Sequence, residues 1–247
     1  MGEKIKKLLT GVLDSENVAL HTANNRTTTQ HKTMRTKVLL SLAAFAVSAF
    51  AAYAQSNVYS VNVVGYVNKS LPAGSLQLVA NPLDAGTNDL ATVLAALPNK
   101  SSALRWTGSG FQGANKALGV WSTNFAVAPG MGFFVNSFSA VTNTFVGEVI
   151  VGPGETNSMA LSASVLQLVG SPIPYAGNLN DAYNTESLNL GATLPNKSSV
   201  LQWTGGGYAG ANKALGTWTP NLSLGVAEGF FVTPFSATNW VQSLPAN

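Results

Sequence analysis

The sequence predicts a mainly β protein of two tandem or pseudo-symmetric antiparallel β-sandwich or barrel-like modules, with one short helix in the first. Three observations carry that expectation: a domain-sized internal repeat, short runs of Val, Leu and aromatic residues bounded by Gly, Pro and Asn, and a chain poor in charge that contains no cysteine.

The repeat sets the architecture. Pro98 to Trp121 returns as Pro195 to Trp218 with 18 of 24 positions identical at an offset of 97. Leu76-Gln-Leu-Val79 returns as Leu166-Gln-Leu-Val169 at an offset of 90, and Gly132-Phe-Phe-Val135 as Gly229-Phe-Phe-Val232. The change of offset places a seven-residue insertion between Pro172 and Pro195. A period above 90 residues is too long for a solenoid unit and suits a domain, so modules are expected at 55–149 and 150–247.

Within the first module, strands are expected at Ser60–Val67, Ser75–Ala80, Ala103–Thr107, Gly132–Ser137 and Asn143–Val149. Asn88-Asp89 can cap a helix over Leu90–Leu97 that Pro98 stops, and the matching region of the second copy, Asp181 to Leu194, is less clearly helical. Gly108-Ser-Gly110 and Gly205-Gly-Gly207 lack the Lys-Ser/Thr that follows a phosphate-binding loop, and they read as hairpin turns. The apolar strands are too short and too weakly alternating for an outer-membrane barrel.

The N-terminal region reads differently. Met34-Arg-Thr-Lys37 followed by apolar Val38 to Ala54 and closed by Ala52-Tyr53-Ala54 predicts a secretory signal peptide over 34–54, cleaved between Ala54 and Gln55. Residues 1–33 then form a non-native or extended leader, with translation expected to start at Met34. The overall charge of +3 belongs to this region, because from Gln55 onward six basic residues stand against seven acidic ones. No basic stripe remains to neutralise phosphates, so nucleic acid is not an expected partner, and no transmembrane segment is expected in the mature chain. An exported chain without cysteine relies on burial and backbone pairing alone.

Leu76-Gln-Leu-Val-Ala-Asn-Pro82, the central Trp106 and Pro129-Gly-Met-Gly-Phe-Phe-Val135, with their counterparts in the second copy, resemble the small β-rich modules of bacterial secreted and cell-surface proteins. The second copy has Val226-Ala-Glu-Gly229 where the Pro-Gly turn would fall. The resemblance implies an exported location and a β fold, and it brings no catalytic residue.

Beyond Ala54 the chain has neither His nor Cys, which removes Ser-His-Asp and Cys-His nucleophiles and every His or Cys metal site. The seven carboxylates are scattered singly rather than paired as a glycosidase needs, and they read as solvated charges. Asp84, Asn88 and Asp89, with Asn178, Asn180 and Asp181, place oxygen ligands in short loops. Their spacing departs from an EF-hand, so they read as turn and cap residues; no metal, cofactor or catalytic residue is expected.

What remains is a repeated aromatic, amide and lysine set. Phe111, Asn115, Lys116 and Trp121, with Tyr208, Asn212, Lys213 and Trp218, are the candidate ligand-binding residues. The lysines are expected as surface contacts, because turn geometry alone does not explain their retention. Leu104 and Trp106 stay as Leu201 and Trp203 while Arg105 becomes Gln202, which places the tryptophans inward and Arg105 outward. Phe111 becomes Tyr208, so that ring is expected to reach the surface. The expected function is a non-enzymatic structural or adhesive protein of the cell envelope or extracellular space, with self-association or a surface protein as partner. The alternative is a carbohydrate-binding protein with an extracellular glycan as ligand.

Overall fold

The computed structural model describes residues 64–184 and 186–246, which fall in one compact unit. The expected leader (1–33), signal peptide (34–54) and cleavage point between Ala54 and Gln55 lie outside the described residues.

The described residues are mainly β, in antiparallel sheets, with two short helices. In the first copy, strand β1 (Val64–Leu71) pairs with β7 (Val141–Glu148). A five-stranded sheet runs in the order β2 (Leu76–Ala80), β6 (Gly132–Asn136), β3 (Ser102–Trp106), β4 (Phe111–Ala117), β5 (Val120–Trp121). The second copy repeats this plan. Strand β8 (Thr156–Leu161) pairs with β16 (Thr238–Ser243). Its sheet runs β9 (Gln167–Gly170), β15 (Gly229–Thr233), β11 (Ser199–Trp203), β12 (Tyr208–Ala214), β13 (Thr217–Thr219). The insertion contributes β10 (Gly177–Asn178), which pairs with β14 (Ser223–Leu224).

Both glycine-rich segments are hairpin turns. Trp106 pairs with Phe111 and Trp203 with Tyr208 across them, and the Thr107 and Thr204 N–H groups each donate to the carbonyl of Gly110 and Gly207 at 2.9 Å.

The helices are shorter than the apolar runs suggest. Helix α1 covers only Leu90–Val93, capped by the Asp89 carboxylate, which accepts from Thr92 N–H at 2.9 Å. Four residues close too few backbone bonds to be stable alone, so this turn is held by burial of Leu90, Val93, Leu94 and Leu97. The second copy has its own turn, α2 (Leu190–Thr193), where one helix was expected in the first copy only. Its cap residue Asn189 is left-handed and makes no side-chain cap bond to the helix; its amide instead closes the loop at Asn184 and Ser187.

Alternation along the strands gives the inner part of each five-stranded sheet two buried faces. One face of the first sheet carries Val79, Ala103, Ala114, Trp121, Phe133 and Val135 into a core completed by α1, Leu71 and Phe145. The second copy builds the equivalent core on Val169, Val200, Ala211, Trp218, Phe230 and Val232. The opposite faces meet each other. Leu78, Phe134, Leu168 and Phe231 form a third cluster, flanked by Leu76, Leu104, Trp106, Leu166, Leu201 and Trp203.

This third cluster is two-fold in its detail. The Trp106 indole N–H donates to Leu166 O at 3.0 Å, and Trp203 donates to Leu76 O at 2.7 Å. Val79 bridges Glu228 and Met131 bridges Val169. Ala80 N–H donates to Ala227 O, and Gly170 N–H to Gly130 O. Each contact is matched by its counterpart in the other copy.

Glycine is required where the two copies touch. A Cβ on Gly132 would lie 2.9 Å from Val169 O, and one on Gly229 would lie 2.7 Å from Val79 O. Gly170 is tighter still, since its Cβ would sit 2.1 Å from the Cβ of Ala80.

Candidate functional site

The structure divides the expected site residues between two faces of the β4–β5 and β12–β13 hairpins. Strand alternation sends Lys116 and Trp121 to one side, because they are directly paired in register, as are Lys213 and Trp218. That side is the module core. Phe111 and Asn115, with Tyr208 and Asn212, stand on the other side and are exposed.

The lysine expectation is overturned. Lys116 and Lys213 are 8% and 6% exposed. The Lys116 ammonium donates to Ala95 O at 3.0 Å and Leu97 O at 2.8 Å, and lies 5.7 Å from the centroid of the Trp121 ring. Lys213 donates to Gly191 O and Leu194 O. A short helical turn ends in carbonyls without intrahelical partners, and a buried ammonium satisfies two of them at once. Burial pushes both ammoniums below the usual lysine range. The retention of Gly-Ala-Asn-Lys-Ala-Leu-Gly is thereby explained for its lysine by folding.

Trp121 and Trp218 are likewise interior, 5% and 1% exposed, so neither is a stacking surface. Their indole N–H groups have no hydrogen-bond acceptor among the described residues. Arg105 is not fully outward: it is half-buried, donates to Gln112 Oε1 at 2.6 Å, and lies 5.1 Å from the Phe125 ring centroid.

Phe111 and Tyr208 belong to a closed circuit of rings that also takes in the buried Phe134 and Phe231. Trp106 packs on Phe111 at 5.0 Å, Phe111 on Phe134, Phe134 on Trp203, Trp203 on Tyr208 at 5.0 Å, Tyr208 on Phe231, and Phe231 back on Trp106. These contacts are edge-to-face, the favourable arrangement for ring quadrupoles, and fix Phe111 and Tyr208 in orientation while leaving them 48% and 47% exposed. Burial holds the Tyr208 hydroxyl above the usual tyrosine range. Trp106 and Trp203, read from sequence as module core, are the residues through which each copy reaches the other.

Two further pairs repeat. Lys100 sits 4.8 Å from the centroid of the half-exposed Phe138 ring, and Lys197 the same distance from Phe235. At the hairpin tips Leu118 and Leu215 are 94% and 97% exposed. Sequence reasoning passed over them. The signal was Leu-Gly at a two-residue turn, where Asn-Gly or Asp-Gly is favoured.

The carboxylates are not all scattered, because Asp84, Glu148 and Glu155 border one open cleft of about 310 Å³. Two of them close their own loops: Asp84 accepts from Gly86 N–H and the Asn88 amide, and Glu155 accepts from Gly152 N–H. Asp181 accepts from the backbone and side chain of Asn178. Among the described residues no three acidic, His or Cys side chains come together to hold a metal ion. No helix among them is long and apolar enough to cross a membrane.

The face that carries Phe111, Asn115, Tyr208 and Asn212 offers aromatic contact and amide hydrogen bonding. Comparison with known proteins adds no further assignment, since no family model, curated protein or solved structure matches the chain.

Proposed function

We propose that this is an exported, non-enzymatic structural or adhesive protein of the cell envelope or extracellular space that associates with copies of itself. The reciprocal pairing of the two copies carries the reading. One face of the repeat, presented by Leu76, Leu78, Leu104, Trp106 and Phe134, is complementary to the same face of another repeat. The pattern of residues 34–54 supports export, as does the resemblance to secreted β modules. The absence of His and Cys after Ala54 supports a role without group-transfer chemistry. Light scattering coupled to size exclusion tests association, and a strict monomer at high concentration removes it. Mass spectrometry of exported material should find Gln55, or a residue within about three of it, at the N-terminus.

A second reading is favoured by one observation. Phe111 and Tyr208 are oriented and half-exposed, each four residues from an exposed Asn on the same strand face. Carbohydrate binding would use those rings and amides, and a glycan array on the exported protein distinguishes it from self-association.

A further inference from the structure

Strands β4 and β5 are joined through Leu118-Gly119, and β12 and β13 through Leu215-Gly216. Both central residues of each turn are left-handed: φ is 51° and 80° in the first, 50° and 82° in the second. That pair of positive values suits the right-handed twist of a hairpin, but a leucine there crowds its Cβ against the following carbonyl, at about 1–2 kcal/mol. Burial could offset such strain. Here it does not, since both side chains are almost fully in solvent. A single exposed leucine on a surface needs no explanation. A strained one at the tip of both copies does.

The tips do not stand alone. Ala117 pairs with Val120 in register, and alternation along β4 places Ala117, Asn115, Gly113 and Phe111 on one face. Register through β3 puts Phe111 opposite Trp106 and Gly113 opposite Leu104, both on the face that joins the two copies. An uncovered strip thus continues an established interface out to the tip. It ends with Val120, 69% exposed, on β5, the edge strand of its sheet. It is uncharged, because Lys116 points to the other side. The second copy repeats the strip with Tyr208, Ala214, Leu215 and Thr217, and β13 is again an edge strand.

We infer that these hairpin strips are self-docking surfaces, each taking the equivalent strip of a second copy of this chain. The inference rests on the self-association reading above and names the surface for it. Seven residues of β4 and two of β5, each rising about 3.4 Å on strands about 4.8 Å apart, offer on the order of 150 Å² per strip. Two strips amount to roughly 300 Å² per chain, well short of the ~800 Å² per partner of a stable interface. Each contact is accordingly weak. A chain carrying two of them links copies in series, with mass that grows with concentration, rather than closing into one tight dimer.

The test is sedimentation velocity of the full chain over a range of concentrations, beside the Leu118→Asn/Leu215→Asn variant. Asparagine tolerates the left-handed conformation, so the variant should melt at the same temperature as the parent or higher. Its association should weaken tenfold or more. Opposite signs for folding and association are the signature of a docking residue. A parent chain that stays monomeric throughout would overturn both this inference and the reading beneath it. Unchanged association in the variant would overturn the surface alone, as would loss of vesicle or glycan binding with association intact. A lower melting temperature in the variant would show that the leucines serve the fold and would also overturn it.

Discussion

Replacing Gly170 by Ala probes the contact on which the pairing of the two copies depends. The new Cβ would lie 2.1 Å from Ala80 Cβ and 3.0 Å from Glu228 O. Methyl carbons need about 3.5–4.0 Å, so β2 and β9 would have to separate by more than 1 Å. The flanking bonds Ala80 N–H to Ala227 O at 3.1 Å and Gly170 N–H to Gly130 O at 3.0 Å resist that movement. Overpacking of a close-packed core costs about 1–3 kcal/mol, and with these bonds stretched the upper end, about 3 kcal/mol, is expected. Ala80→Gly removes a fully buried methyl and loosens a strand, at roughly 1–2 kcal/mol.

The double variant A80G/G170A merely exchanges the two residues across the pseudo-two-fold and should return to within about 1 kcal/mol of the parent. The coupling is therefore about 3–5 kcal/mol in the favourable direction, far above the ~0.5 kcal/mol scatter of independent sites. Urea denaturation of the full chain, followed by tryptophan fluorescence, measures all four corners of the cycle. A G170A variant within about 0.5 kcal/mol of the parent, or a double variant as unstable as the sum of the singles, would refute the contact.

Other expectations follow from the same geometry. Lys116→Ala and Lys213→Ala should each destabilise by about 1–3 kcal/mol, because one buried and one part-buried carbonyl lose their donor; a surface contact would cost no more than about 0.5 kcal/mol, and thermal or chemical denaturation separates the two. Because burial lowers the folded-state pKa of both lysines, the unfolded chain holds more protons between that value and about 10.5, and stability should rise with pH across this window. Burial, with the charge of Glu186 for Tyr175, raises the pKa of Tyr175 and Tyr208, so their contribution should fall as pH climbs through about 10; denaturation midpoints in K116A and Y208F resolve the opposing slopes. Burial alone would raise the Asp89 carboxyl, but the bonds from Thr92 and Asn124 outweigh it and bring it below the usual value. Its stabilisation is then complete above about pH 3.9 and lost as pH falls through the folded-state value, and Asp89→Ala should cost about 1 kcal/mol and flatten that acid limb.

The division between sequence and tertiary structure falls along particular residues. The β class, the register-bearing runs around Leu78, Leu104 and Phe134, the hairpin turns at Gly108 and Gly205, and the Asp89 cap were legible, because each depends on alternation, turn chemistry or a local bond. So was the exposure of Phe111 and Tyr208, from the hydroxyl gained between copies. Helix length was not, since α1 stops at Val93 and the Ala95 and Leu97 carbonyls beyond it go to the Lys116 ammonium, a partner 19 to 21 residues away. The same long-range bonds hid the role of the lysines: a charge in a glycine-rich segment looks solvated until strand pairing puts it opposite Trp121 and under the helix end. A duplicated sequence establishes that two like faces exist. Only the tertiary structure decides that they meet, because complementarity between Ala80 and Gly170, or between Trp106 and the carbonyl of Leu166, is a property of two distant segments brought within contact distance.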